Sequence, residues 1–139
     1  MEIKAIQEEI VDEFAMFEEW DERYQYVIDL GKTLPLVDEQ YKTDENIIKG
    51  CQSKVWLHGE EKDGKVVFTA DSDAILTKGI IAILIRVFSN QSPEAILQAD
   101  TAFIDEIGLK EHLSPTRANG LVSMVKQIKM YALAFQAKN

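Results

Sequence analysis

Lys54-Val55-Trp56-Leu57-His58-Gly59-Glu60 and Lys65-Val66-Val67-Phe68-Thr69-Ala70, joined through Lys62-Asp63-Gly64, decide the fold. Each run alternates apolar and polar residues, and Asp-Gly between two such runs is a strong signal for a β-hairpin. A two-stranded hairpin is marginal by itself in water. Helices must therefore cover one of its faces, with at most a third short strand drawn from the polar connection at residues 33–49.

Downstream of the hairpin, residues 74–88 are apolar almost all round, through Ile75, Leu76, Ile80, Ile81, Ile83, Leu84, Ile85 and Val87. A helix apolar on every side is a buried one, so this stretch reads as the central core helix. Asp71-Ser72-Asp73 supplies side-chain oxygens suited to its N-cap. Ser89 and Asn90 end it, and Ser92-Pro93-Glu94 opens a short helix with a cap and a proline at its first position. Residues 103–107 form another short helix stopped by Gly108. Ser114-Pro115 repeats the cap-plus-proline start for a last helix carrying Leu121, Val125, Ile128, Ala132 and Phe135 on one stripe.

Upstream, Ile3, Ile6, Ile10 and Phe14 fall on one stripe of an amphipathic helix. Trp20, Tyr24, Val27 and Ile28 mark a second, with Gly31 placed to cap its C-terminus. Glu18, Glu19, Asp21 and Glu22 gather near the start of that helix, where acids favour the macrodipole; they read as a solvated helix end, with docking to a partner as the alternative. The order helix, helix, hairpin, helices is α+β: a small antiparallel sheet packed against helices.

With 139 residues, 46% of them hydrophobic and 28% charged, the chain is expected to form one domain over residues 1–139. A formal charge of −9 disfavours nucleic acid and anionic membranes and suits docking on a basic protein surface. The longest apolar run, residues 79–85, falls far short of the ~20 residues a bilayer requires. The N-terminus is charged from the start and lacks the apolar core of a signal peptide. A single cysteine cannot form an internal disulfide, so the expected location is the cytoplasm.

That cysteine, Cys51, lies in Gly50-Cys51-Gln52-Ser53, between an irregular lead-in at residues 46–50 and the first strand. A lone cysteine is ordinarily a small buried hydrophobe. This one sits at a loop-to-strand junction beside a glycine that tolerates unusual backbone angles, where reactive groups are common. Lys49 and Lys54 are placed to lend positive charge to a thiolate. Arg117, in the first turn of the last helix, carries a charge unfavourable to the dipole there, so pairing with a carboxylate or steadying a thiolate would account for it. Gly120 costs that helix ~1 kcal/mol relative to alanine, which implies close approach by another backbone, the cysteine loop being the candidate.

Asn46-Ile47-Ile48-Lys49-Gly50-Cys51-Gln52-Ser53-Lys54-Val55-Trp56-Leu57 resembles the signature loop of the SufE family. Three further stretches match in order: Trp20-Asp21-Glu22-Arg23-Tyr24 with Leu30-Gly31-Lys32-Thr33-Leu34-Pro35, Asp71-Ser72-Asp73-Ala74 with Lys78-Gly79, and His112-Leu113-Ser114-Pro115-Thr116-Arg117-Ala118-Asn119-Gly120. The similarity runs from about residue 14 to residue 131. It implies a fold like that of SufE and the IscU-type cluster scaffolds, and a role as sulfur acceptor for a cysteine desulfurase in iron–sulfur cluster assembly. Cys51 would carry the persulfide, with Gly50, Gln52 and Ser53 forming its loop, Asp73 beside it and Arg117 assisting. The resemblance also implies a downstream scaffold as partner and no cofactor on this chain, pyridoxal phosphate belonging to the desulfurase.

Three other readings compete. Cys51, His58 and His112 are the histidine and cysteine ligands available, and no pair has metal-ligand spacing. A cysteine–histidine hydrolase would use His112 as base, yet it also needs an orienting group and an oxyanion hole that no pattern supplies. A regulatory module that activates a desulfurase by contact alone, carrying no sulfur, is the third.

Overall fold

The hairpin sits where the alternation puts it in the computed structural model, which describes residues 2–51, 53–109 and 113–138. Strand β1 (Val55–Lys62) pairs antiparallel with β2 (Lys65–Ser72), setting Leu57 opposite Ala70 and Gly59 opposite Phe68. Asp63 and Gly64 make the turn at φ values of 53° and 80°, the two positive angles that a two-residue primed turn needs. Val55, Leu57, Val66, Phe68 and Ala70 are buried on one face.

Both strands outrun the sequence reading, and this displaces the expected helix cap. Asp71 and Ser72 finish β2, while α3 (Ile75–Phe88) begins after Ala74 with no side-chain cap. The third strand does not form. Among the described residues the sheet has two strands, and residues 33–49 reach it only through single bridges, Leu36 to Ala70 and Ile47 to Trp56. Pro35 has no N–H to give a ladder, and the chain beyond it coils into two 3-10 turns, Glu39–Tyr41 and Asp44–Asn46.

This connection is nevertheless pinned. Lys42 Nζ lies 2.8 Å from Asp71 Oδ2 and 5.5 Å from the centre of the Trp56 ring. The Tyr41 ring stacks on His58 with centroids 3.7 Å apart and planes within 10°. Asp71 also faces Lys78 Nζ at 3.4 Å. Burial pushes its carboxyl up, but the Lys42 ammonium, the Ser72 amide and Lys78 together hold it below the ordinary value.

α3 is the core helix: Thr77, every residue from Gly79 to Ile85, Val87 and Phe88 are buried. It lies on β2, on α2 (Trp20–Gly31) and on α6 (Pro115–Lys138), with α1 (Ile3–Ala15) alongside. Gly31 is not the expected left-handed cap. It is the last residue of α2, followed by Lys32 in right-handed conformation, and its role is close packing: a Cβ there would stand 3.0 Å from Gly79 N. A Cβ on Gly79 would in turn stand 2.0 Å from Val27 O, so the two helices meet backbone to backbone.

The remaining starts and stops follow local chemistry. Ser92 Oγ accepts from the amide of Ala95 at the head of α4 (Pro93–Gln98), and Ser114 Oγ accepts from the amide of Arg117 at the head of α6. Gly108, at φ 71°, turns the chain after α5 (Ala102–Glu106). α6 lays Leu121, Met124, Ile128 and Ala132 into the core. Its Tyr131 ring lies over the sheet because Gly59 leaves it room, and the Tyr131 hydroxyl is 3.2 Å from Leu57 O. No helix among the described residues is long and apolar enough to cross a membrane.

Candidate functional site

The segment carrying Cys51 is fastened at both ends. On the entering side, Ile48 is buried and its amide donates to Val55 O at 2.8 Å. On the leaving side, the Lys54 amide donates to Asp73 Oδ1 at 3.0 Å, and Lys54 O accepts from Ser72 Oγ at 2.8 Å and from the Asp73 amide at 3.2 Å. Asp73 is thus exposed beside the loop and binds its backbone, in place of capping α3.

Between these anchors Gly50 takes φ 94°, an angle that side chains disfavour. A Cβ at Gly50 would also meet Ser123 Oγ at 2.7 Å. Cys51 follows, partly buried against α6, with Sγ donating to Gly120 O at 3.7 Å. Gly120 allows this contact, since a Cβ there would stand 3.3 Å from Cys51 Sγ and 3.4 Å from its Cα. The close approach that the sequence assigned to Gly120 is made by the cysteine loop, which rests there on α6.

Cys51 faces a cavity of about 10 Å³ lined also by Thr77, Ile80, Arg117, Gly120 and Met124. That is room for about one water-sized group. Burial pushes the Cys51 thiol up from its ordinary value. Lys49 and Lys54 are exposed, and burial, with no opposing lysine charge, sets the direction of the shift on the thiol. Arg117 is exposed at the rim and makes no ion pair with a carboxylate among the described residues. Ser53 is partly buried next to the loop, and Gln52 lies outside the described residues.

The competing chemistries find little here. His58 bonds Glu60 at 3.1 Å and stacks on Tyr41, on the face of the hairpin away from the core. His112 lies outside the described residues, so the base of the hydrolase reading has no placement. No three histidine, cysteine, aspartate or glutamate side chains among the described residues gather to hold a metal ion. Glu18, Glu19, Asp21 and Glu22 are all exposed. The sequence reading missed Thr77, Ile80, Ser123 and Met124 as neighbours of the loop. Thr77 alone left a signal, a hydroxyl within the mostly apolar run at 74–88.

A profile for the SufE "Fe-S metabolism associated domain" matches residues 8–132. The chain belongs to the SufE family. It is similar to a protein of Rhizobium meliloti (strain 1021) described as an uncharacterized SufE-like protein, with 44% identity over 130 residues, covering 90% of this chain and 93% of the relative. A second uncharacterized SufE-like protein, from Rhizobium etli, is 41% identical over 127 residues, covering 88% of this chain and 86% of its own. The solution structure of a hypothetical protein from Thermus thermophilus superimposes with a TM-score of 0.77 at 20% identity, covering 93% and 94% of the two chains. That likeness speaks to the fold. SufE membership connects this chain with iron–sulfur metabolism.

Proposed function

We propose that this SufE-family chain accepts a sulfur atom on Cys51 from a cysteine desulfurase, stimulates that enzyme, and relays the sulfur to a downstream cluster-assembly scaffold. The observation that carries the reading is Cys51 itself. It is the sole thiol of the chain, it follows a glycine at positive φ, and it is turned toward a small, largely apolar cavity from a loop anchored at both ends. In the transfer, the Cys51 thiolate attacks the terminal sulfur of the donor's persulfide. A bond forms from Cys51 Sγ to that sulfur as the donor's S–S bond breaks, and the donor cysteine leaves as thiolate. The Cys51 proton goes to the departing thiolate or to water, and no net oxidation occurs.

The resting burial of the thiol makes deprotonation the step that loop movement must assist. Arg117, at the rim, is proposed to favour the anion once the loop has moved, and Asp73 to hold the leaving limb while Gly50 turns. Ser53 is proposed to travel with the loop. No cofactor is needed on this chain, because the pyridoxal phosphate acts in the desulfurase, and the cytoplasm is the proposed location.

The test is to incubate the protein with a cysteine desulfurase and free cysteine and to weigh it. Added sulfur mapped to Cys51, absent in Cys51→Ser, supports the reading. An unmodified wild type, under conditions that load another acceptor, overturns it. If Cys51→Ser still stimulates the desulfurase fully, the chain is a contact activator that carries no sulfur.

A further inference from the structure

We propose that the Thr77 hydroxyl is the hydrogen-bond donor that seats the second sulfur of a Cys51 persulfide inside the cavity; this rests on the sulfur-acceptor reading above. Thr77 lies in the first turn of α3 at 5% exposure and lines the same cavity as Cys51. Its hydroxyl has no hydrogen-bond partner among the described residues. It is not sealed away either, since no fully enclosed side-chain oxygen or nitrogen there lacks a partner. The oxygen is therefore partly accessible, in a residue that lines the cavity, with its donor unused among the described residues.

A hydroxyl whose only free volume is a small, largely apolar cavity is poorly satisfied, and valine would fill the same space on a helix of this composition without that cost. A ligand in the cavity that accepts a hydrogen bond removes the penalty. The terminal sulfur of a perthiolate is such an acceptor: anionic, soft, and one atom in size, matching a void of about 10 Å³. Ile80 and Met124 supply the apolar remainder of the wall. The start of α3 also brings the positive end of its dipole to the same side.

The experiment loads Cys51 with inorganic polysulfide, so no partner protein is involved. The thiolate takes one sulfane sulfur, its new S–S bond forming as a polysulfide S–S bond breaks and the shortened polysulfide anion leaves. Cyanide is then added and thiocyanate release is timed. Thr77→Val should release sulfur about tenfold faster than wild type, the size of one charge-assisted hydrogen bond lost. Thr77→Ser, which keeps the hydroxyl, should stay within about twofold of wild type. Equal rates in all three proteins, fast release from both variants, or a wild type that takes no sulfur from polysulfide would each overturn the proposal. Should Thr77→Val not fold, Thr77→Ala against Thr77→Ser makes the same comparison. Hydroxyl-dependent release in a protein that no desulfurase can load would leave the seat standing and sink the acceptor reading. Loading by a desulfurase with hydroxyl-independent release would do the reverse.

Discussion

Gly120 presents its bare Cα to Cys51, and a methyl group there would sit 3.3 Å from Sγ and 3.4 Å from the cysteine Cα. Those distances are slightly too close, and Cys51 is on a loop that can yield. Gly120→Ala should therefore leave stability unchanged or raise it, because alanine gains ~1 kcal/mol of helix propensity over glycine. It should at the same time displace the loop and raise the rate of Cys51 alkylation by iodoacetamide several-fold. A melting temperature within a few degrees of wild type, combined with unchanged alkylation, would mean the loop does not rest on Gly120 in solution.

Arg117 offers a sharper division between structure and chemistry. It is exposed and makes no ion pair among the described residues, so Arg117→Ala should cost no more than ~0.5 kcal/mol. Sulfur acceptance should slow, and the pH profile of Cys51 alkylation should move upward as a favourable charge at the rim is lost. A large fall in melting temperature with an unmoved profile would remove Arg117 from the site.

Burial of the thiol also makes stability depend on pH. The Cys51 pKa is raised in the folded state, so the folded chain holds its proton where the unfolded chain, at about 8.5, has begun to release it. The stability tied to this group is complete below that value and is lost as pH rises through the higher folded pKa. Melting temperature should fall more steeply above pH ~8.5 in wild type than in Cys51→Ser. Parallel curves for the two proteins would count against a buried resting thiol.

The crossing of α2 and α3 gives the strongest stability prediction. A Cβ at Gly79 would stand 2.0 Å from Val27 O, a backbone atom that cannot rotate away. Gly79→Ala should cost at or above the ~1–3 kcal/mol typical of overpacking, against ~1 kcal/mol recovered in propensity. Gly31→Ala, whose nearest contact would be 3.0 Å, should cost less. Urea unfolding of both variants checks the order, and a Gly79→Ala protein as stable as wild type would show the helices to be further apart than described.

Local chemistry was legible in the sequence where neighbours in the chain decide the structure. Asp63-Gly64 made its turn, Ser92 and Ser114 made their caps, and the apolar run at 75–88 became the core helix. Where a residue's local role failed, as at Gly31 and Asp73, a distant partner had claimed it instead. Gly31 reads as a helix stop until Gly79 lies against it. Asp73 reads as a cap until the Lys54 amide takes its carboxylate. For the site, periodicity marked Gly120 as unusual and chain position marked Cys51. Thr77, Ile80 and Met124 were invisible as a group because only the crossing of α3 with α6 brings them to the thiol.

The two fastenings of the cysteine loop set a reach. Cys51 is three residues from the anchored Ile48 on one side and three from the anchored Lys54 on the other. A fully extended chain spans at most ~3.3–3.6 Å per residue, so the Cys51 Cα can rise only about 10 Å above those anchors without breaking them, with the thiol one side-chain length beyond it. Any protein that exchanges a group with Cys51 must bring its own reacting atom to within that height. The depth of the partner's entrance is thereby bounded from this side of the complex, by the bonds at Val55 O and Asp73 Oδ1.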